Sequence, residues 1–594
     1  MGPRRPSMTR AKNFKKAILQ LAIYSKRQIG LIVLAIVLTI GSTVLTLIGP
    51  NKLKELTNLI YAGLLPNTSI DMPAVAKIGM FLVIAYVLSS VFGYLQGLFM
   101  NITTQRISRS LRKDITHKIN RLPLSYLDRT PYGDVLSRIT NDVDSMTSSL
   151  NSSITLLASS VTLFFGCIIM MFITNWVLAL SAIGASLLGI GLMSLIVSKS
   201  NKYFIEQQIT LGKLNGHIEE VYSGHNVIKA YNAEREMTEV FNRRNKKLYT
   251  CAWKSQFLSG IMGPLMGFIG NFGYVVVCVV GAALAINGTI DFGVIVAFMI
   301  YVRLFTQPLS QFAQCITSVQ TIAASSERVF DMLDQPEMEN EDSKTTYLSL
   351  KKVKGNVEFR DVKFSYNKDK EIIKGFSANI QAGQKVAIVG PTGAGKTTIV
   401  NLLMRFYEIN EGDIFIDGIN TKDLKRENVH DLFSMVLQDT WIFEGTVREN
   451  IAYSKQDVSD AKIKNACKEC GLHSFIKSLP NGYDTLLNDS ITISAGQKQL
   501  LTIARAMVQE SPMLILDEAT SSVDTRTEIL IQKAMDKLMS KRTSFIIAHR
   551  LSTIRNADLI LVMKEGDIVE SGTHQELLNK NGFYASLYNS QFEK

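Results

Sequence analysis

Residues 145–198 contain no charged side chain. A bilayer core is crossed by about 20 apolar helical residues, so this run has room for two crossings, with Thr174, Asn175 and Trp176 as the turn between them. Buried helices of a large water-soluble domain have no need of a charge-free run this long. Residues 29–48, 78–102 and 255–288 are likewise free of charge, and 292–321 carry Arg303 alone. Six membrane spans are expected from length and hydropathy.

The chain has 594 residues and a formal net charge of +12. In a soluble protein such an excess suggests a nucleic-acid partner, but here its location decides the matter. Arg106, Arg109, Arg112, Lys113, Lys118, Arg121, Arg129 and Arg138 fall between spans two and three, and residues 199–254, between spans four and five, are similarly basic. The outer connections hold only Lys52, Lys54 and Lys77. The positive-inside rule therefore places both termini and both long loops in the cytoplasm of a cell-membrane protein. The charge reads as topology and contact with anionic membrane lipids, with no nucleic acid. No cleavable signal is expected at the basic start, and residues 12–27 read as an amphipathic segment on the inner membrane face. Of six cysteines only Cys467 and Cys470 are close in sequence; one helical face in a reducing cytosol accounts for them better than a zinc site.

The acidic stretch 334–342 separates the membrane half from a soluble half that opens with a strand-like run at 357–364. Beyond it, short β-rich runs at 386–389 and 514–516 alternate with helical segments, the pattern of an α/β domain with a largely parallel sheet. The expected fold class is α + α/β: a six-helix transmembrane domain with long cytoplasmic helical extensions, then a P-loop α/β nucleotide-binding domain with a helical subdomain. The boundaries follow as 1–28 for the N-terminal segment, 29–326 for the membrane domain, 327–354 for a linker and 355–594 for the nucleotide domain. Both long loops are helix-like, with breaker clusters at 128–133 and at Ser223-Gly224 where a helix can reverse.

Gly390-Pro391-Thr392-Gly393-Ala394-Gly395-Lys396-Thr397, followed by Thr398, is a Walker A loop. Its glycines let backbone N–H groups wrap phosphates, Lys396 reaches the β- and γ-phosphates, and Thr397 offers a hydroxyl to Mg²⁺. At 513–518 an apolar run ends in Asp517-Glu518. Asp517 is placed to hold the magnesium shell and Glu518 to polarise an attacking water.

Ile493-Ser494-Ala495-Gly496-Gln497 resembles the signature sequence of ATP-binding-cassette proteins. The resemblance covers nearly the whole chain and is nearest to type IV exporter half-transporters, particularly subunits of bacterial heterodimeric multidrug exporters. It implies that Tyr366 stacks on adenine, that Gln438 is the Q-loop glutamine contacting Mg²⁺ and γ-phosphate, that Asp524 lies in the D-loop and that His549 is the switch histidine. It also implies that two such domains close head to tail, with Ser494, Gly496 and Gln497 of one covering the nucleotide of the other. A second half-transporter, expected to be a different chain, is then required. By the same resemblance residues 220–229 and 128–134 are coupling segments, the first docking on the partner's nucleotide domain and the second nearer its own. The signature departs from the family pattern at Ala495, and the preceding 488–492 lack a Gly-Glu pair. Alanine adds a methyl where backbone approaches phosphate, so the site that this signature completes is expected to turn over slowly; neutral drift at a tolerant position is the alternative.

In the sixth span Arg303, Gln307, Gln311, Gln314 and Ser318 recur at helical spacing and share one face. Facing hydrocarbon is costly for such groups, so the stripe reads as a cavity lining or a partner contact. Met262, Met266 and Met299 serve as membrane filler or as deformable surface for lipophilic cargo. The expected function, by resemblance, is ATP-driven multidrug efflux of hydrophobic or amphipathic compounds. Lipid or lipopeptide flipping and a nucleotide-gated regulatory subunit without pumping remain alternatives.

Overall fold

The computed structural model describes residues 13–592 except 65–68, 368–369, 439, 456, 489–492, 518–523 and 548–550. Two compact units divide the chain. One combines the residues up to Arg121 with Thr130–Pro336, and the other combines Leu122–Arg129 with Glu337–Lys594.

The first unit is helical because backbone in hydrocarbon must satisfy its own N–H and C=O groups. α1 (Phe14–Tyr24) passes through a 3-10 turn into α2 (Ile29–Gly63), and α3 (Met72–Arg121) follows. α4 (Leu124–Arg129) belongs to the second unit. α5 (Tyr132–Ser137) runs through a π-helical turn at Arg138–Asp142 into α6 (Val143–Thr174). α7 (Trp176–Ser223), α8 (His225–Ala230), α9 (Glu234–Ile286) and α10 (Phe292–Leu333) complete the unit. Val33, Val37, Met80, Val83, Val87, Phe165 and Ile169 remain exposed, an amount of exposed apolar surface that marks a membrane-facing protein.

By length and apolarity four stretches qualify as spans among the described residues: Phe14–Gly63, Met72–Arg121, Tyr132–Thr174 and Glu234–Ile286. α7 and α10 carry shorter apolar stretches, Trp176–Leu187 and Phe292–Pro308. The expected count of six is thus not reached by this measure.

The break expected at 174–176 falls at Asn175, whose backbone is extended (φ −166°, ψ 122°). Its N–H still donates to Met171 O at 2.9 Å, and its side-chain oxygen accepts from Val177 and Leu178 N–H at 3.0 Å each. One residue therefore closes one helix and caps the next. α7 packs chiefly on α9, whereas α6 packs on α10 and α2. A core of Leu47, Cys167, Met171, Leu178, Val277, Phe298, Tyr301 and Phe305 ties these helices together. α1 buries Ala17 and Leu21 and packs on α10, and Gln20 donates to Asp334 at 2.8 Å. Pro50, Pro264 and Pro308 lie inside α2, α9 and α10; each removes an N–H donor from the helical ladder.

The second unit holds two sheets. β1 (Val357–Phe364), β2 (Ile373–Ile380), β4 (Glu411–Ile416) and β5 (Ile419–Asn420) make an antiparallel sheet in the order β2-β1-β4-β5. β3 (Lys385–Val389), β6 (Phe433–Val436), β9 (Met513–Asp517), β10 (Thr543–Ile547), β11 (Leu559–Lys564) and β12 (Asp567–Gly572) make the second, in the order β12-β11-β3-β10-β9-β6. All its pairs are parallel except β11 with β12 at the edge. β7 (Gly445–Thr446) and β8 (Leu486–Leu487) form a short ladder. The parallel sheet was expected; the antiparallel one was not.

β3 shows why the parallel strands read as unbroken apolar runs. Ala387 and Val389 enter one core and Val386 and Ile388 the other, so both faces are covered and alternation disappears. Each buried Val or Ile contributes roughly 1.5–3 kcal/mol. Helices α11 (Lys396–Leu403) and α12 (Arg426–Asp431) belong to this frame. Between β6 and β9 lie α13 (Val447–Ala452), α14 (Asp460–Glu469), α15 (His473–Ser478) and α16 (Ala495–Gln509), a helical subdomain against which α17 (Thr525–Met539) packs through α16. Cys467 and Cys470 are both buried in its core, and burial pushes the Cys467 thiol up to about 11.

Candidate nucleotide site

The loop 390–395 joins β3 to α11, as its sequence implied. Gly393 (φ 83°) and Gly395 (φ 99°) adopt left-handed conformations that a residue with a Cβ takes only under strain. At Gly390 the constraint is space, because an added Cβ would meet Met563 O at 2.3 Å. Pro391 and Thr392 are exposed on the loop and Ala394 is buried beneath it. Lys396 begins α11 with only 8% of its surface exposed. Its ammonium donates to Gly390 O at 2.7 Å and Pro391 O at 3.1 Å. Burial lowers its pKa, and the Asp517 carboxylate opposes that shift. Two carbonyls thus hold the cation that phosphate oxygens would otherwise attract.

Strand register gathers the remaining chemistry. Asp517 pairs with Ile547 across β9 and β10, Leu516 with Val436 across β9 and β6, and Ile547 with Ile388 across β10 and β3. The four parallel strands therefore end side by side, and ligands of open α/β sheets bind beyond these carboxyl ends. Asp517, the 390–395 loop and Gln438, which is exposed two residues past β6, all sit on this rim. Thr397 is exposed and Thr398 buried at the start of α11. Glu518 and His549 lie outside the described residues. Asp524 caps α17, its carboxylate accepting from Thr527 N–H at 3.0 Å.

The signature segment starts α16. Ser494 Oγ accepts from Gln497 N–H at 3.2 Å, and Gln497 Oε1 accepts from Ser494 N–H at 3.0 Å, a reciprocal capping box. Gln497 thereby has a structural duty that the sequence reading did not assign, although the spacing Ser-x-x-Gln signals it. Ser494 and Ala495 are exposed and Gly496 is buried.

Tyr366 packs edge-on against Phe364 (ring centroids 4.8 Å apart) and Tyr407 (4.9 Å), and its hydroxyl donates to Thr398 Oγ1 at 3.3 Å. Tyr407 in turn donates to Asp128. Arg129 Nη2 donates to Tyr366 O and Asn367 Oδ1, each at 2.7 Å. Sequence reasoning read Arg129 only as part of the coupling segment 128–134 and missed Tyr407, which belongs to no motif; the fold brings both to Tyr366.

In the membrane unit the polar stripe of α10 divides. Arg303, Gln307 and Gln314 are exposed, while Gln311 and Ser318 are half-buried. Gln311 Oε1 accepts from Ser160 Oγ of α6 at 2.6 Å. Beside the stripe an apolar groove of about 290 Å³ is lined by Phe14, Leu157, Phe312, Cys315, Ile316, Val319 and Gln320.

Residues 32–309 match the family model of the ABC transporter transmembrane region, and residues 373–521 match that of the ABC transporter domain. The chain is 39% identical to an uncharacterised ABC transporter ATP-binding protein of Bacillus subtilis, over 98% of this chain and 96% of that protein. It is 42% identical to a fatty acid ABC transporter ATP-binding/permease protein of Mycobacterium bovis, over 91% and 85%. It is 34% identical to an ATP-dependent lipid A-core flippase of Syntrophus aciditrophicus, over 86% and 85%. Among solved structures, an ATP-bound bacterial Atm1-family ABC exporter aligns over 96% of this chain and 98% of its own, with a TM-score of 0.71 and 27% identity. With a Walker A loop seated on a parallel sheet and a helical membrane unit in one polypeptide, the chain belongs to the ABC transporter family as an exporter half-transporter, an ATPase coupled to movement of a substrate through the membrane.

Proposed function

We propose that this half-transporter exports amphipathic, lipid-like compounds from the cytosol or inner leaflet. The observation that carries this is α10, which bears exposed Arg303, Gln307 and Gln314 and also lines the apolar groove at Phe312, Cys315, Ile316 and Val319. One helix thus offers a cation and amides for a polar head beside apolar surface for a tail. The fatty acid and lipid A activities named for two relatives support the same substrate class. Multidrug efflux is the broader reading of the same surface. Reconstitution in phospholipid nanodiscs separates them: fatty acids or lipids stimulate ATP hydrolysis on the proposal, whereas stimulation by unrelated lipophilic dyes alone overturns it.

In the proposed cycle ATP lies along the 390–398 loop with its phosphates against Lys396 and its adenine on Tyr366. Thr397, Gln438 and Asp517 would hold Mg²⁺; a hydroxyl, an amide and a carboxylate are oxygen donors that suit this hard cation. When bound, the ion neutralises charge that develops on the phosphates. Glu518 polarises the attacking water, and His549 contacts the γ-phosphate. Ser494 and Gly496, at the positive end of α16, serve the nucleotide of a second half-transporter. We take that partner to be a different chain because Ala495 makes a poorer lid than glycine would. ATP turnover at full rate by the chain purified alone overturns the heterodimer. The distribution of basic residues supports a cytoplasmic location for the termini and the second unit.

A further inference from the structure

The structure assigns Arg129 and Asp128, in the first long loop of the membrane half, as positioning residues for the adenine platform of the nucleotide site. The inference rests on the reading of Tyr366 as that platform and extends it to two residues that the resemblance gave only as part of a coupling segment.

The geometry is a clamp around one short segment. From the side of the loop, the Arg129 guanidinium bonds Tyr366 O and Asn367 Oδ1 at 2.7 Å each, fixing the backbone that carries the platform ring. Asp128 accepts from the Tyr407 hydroxyl, and the Tyr407 ring meets the Tyr366 ring edge-on at an interplanar angle of 90°. Next to it in sequence, Ser365 N–H donates to Asn410 Oδ1 at 2.7 Å. Burial and then the Asp128 hydrogen bond push the Tyr407 phenol up, so that ring remains a neutral donor through the physiological range. Residues 122–129 form part of the same compact unit as the nucleotide domain.

Stacking needs a ring held at one tilt and height, and a freely rotating tyrosine loses entropy whenever a base lands on it. The clamp supplies that order before ATP arrives. Because coupling is reciprocal, a base resting on Tyr366 also strengthens the grip of the second unit on residues 128–129. The loop thereby responds to the base end of ATP separately from the phosphate end.

The test uses the full-length chain in its membrane-assembled form and measures two constants: half-saturation by ATP, and inhibition by inorganic tripolyphosphate, which has phosphates and no base. Arg129→Ala is expected to raise ATP half-saturation three- to tenfold while leaving tripolyphosphate inhibition unchanged. Arg129→Lys, which reaches one acceptor instead of two, falls between it and the native chain. Tyr407→Phe keeps the ring but loses Asp128, and is expected to raise half-saturation two- to threefold. An Arg129→Ala value within twofold of native overturns the inference, and so does an equal loss for tripolyphosphate, which would mark general damage. Tyr366→Ala separates the layers. If that variant leaves ATP half-saturation unchanged, the platform reading falls and the clamp with it; if it raises half-saturation while Arg129→Ala is silent, only the clamp falls.

Discussion

The two units satisfy their polar side chains in opposite ways. In the membrane unit the hydroxyls mostly bond backward along their own helix: Thr39 to Ala35 O, Thr43 to Thr39 O, Thr103 to Phe99 O and Thr147 to Val143 O, all at 2.8 Å. In the nucleotide unit several polar side chains also reach across the fold. Thr543 Oγ1 donates to Gly355 O at 2.7 Å, 188 residues away, and Asn428 both donates to Leu348 O (2.9 Å) and accepts from its N–H (2.8 Å). Arg405, 6% exposed, joins the carbonyls of Thr421 and Leu424 to Glu341 and Glu408. Bonds within one helix leave that helix free to slide against its neighbours, whereas long-range bonds fix one arrangement. The contrast suits a transporter whose membrane helices must have two packings while its catalytic frame keeps one.

The largest effect expected is on the catalytic frame. Glu518→Gln in the assembled complex should lower phosphate release by roughly 10²–10⁴-fold, the range for loss of a general base. Substantial residual turnover would show that the site completed by Ala495 is not slow. Next, Arg405→Ala should destabilise the nucleotide unit by about 1–3 kcal/mol, since it takes the buried guanidinium donor away from the Thr421 carbonyl; thermal unfolding in detergent measures it. A loss below about 1 kcal/mol would remove the rigid half of the comparison.

A pH experiment sharpens the same point. Burial pushes the Glu341 carboxyl up, but Lys344, the Arg426 N–H and the Arg405 and Arg426 guanidinium groups outweigh it and hold the group at about 2. A depressed carboxylate adds stability that is complete above its unfolded value near 4.5 and is lost as pH falls from there toward about 2. Glu341→Gln should flatten that part of the stability profile; an unchanged slope between pH 4.5 and 3 would reject the assignment. The smallest effect is expected in the membrane unit. A double-mutant cycle of Ser160→Ala and Gln311→Ala should give a coupling of about 0.6 kcal/mol, typical of hydrogen bonds between membrane helices. A coupling several times larger would mean that α6 and α10 are locked, and would break the contrast from its mobile side.

How much was legible follows the same divide. The 390–397 loop could be read because strand, turn and helix are contiguous and each glycine has a local reason. The turn at Asn175 could be read because a single polar cluster interrupts a long apolar run. The antiparallel sheet could not, since β1 pairs with strands on both sides through registers that no local pattern encodes. Gln497 was read as a nucleotide contact, and its capping box with Ser494 was overlooked because the same residues carry a family motif. The stripe on α10 gave a face but not its neighbours, so the pairing of Gln311 with Ser160 required the packed helices. Arg129 was read as part of a coupling segment, but its bond to Tyr366 and the place of Tyr407 beside it needed the fold for the same reason.

Asn175 sets a mechanical limit on the membrane unit. α6 ends at Thr174 and α7 begins at Trp176, and consecutive Cα atoms stand about 3.8 Å apart whatever the packing. Yet these two helices give their flanks to different neighbours, α6 to α10 and α2, and α7 to α9. They work like tongs riveted at one tip. The rivet cannot lengthen, so any parting of the two helices must widen from their far ends, and the gap can only be a wedge with its apex at Asn175.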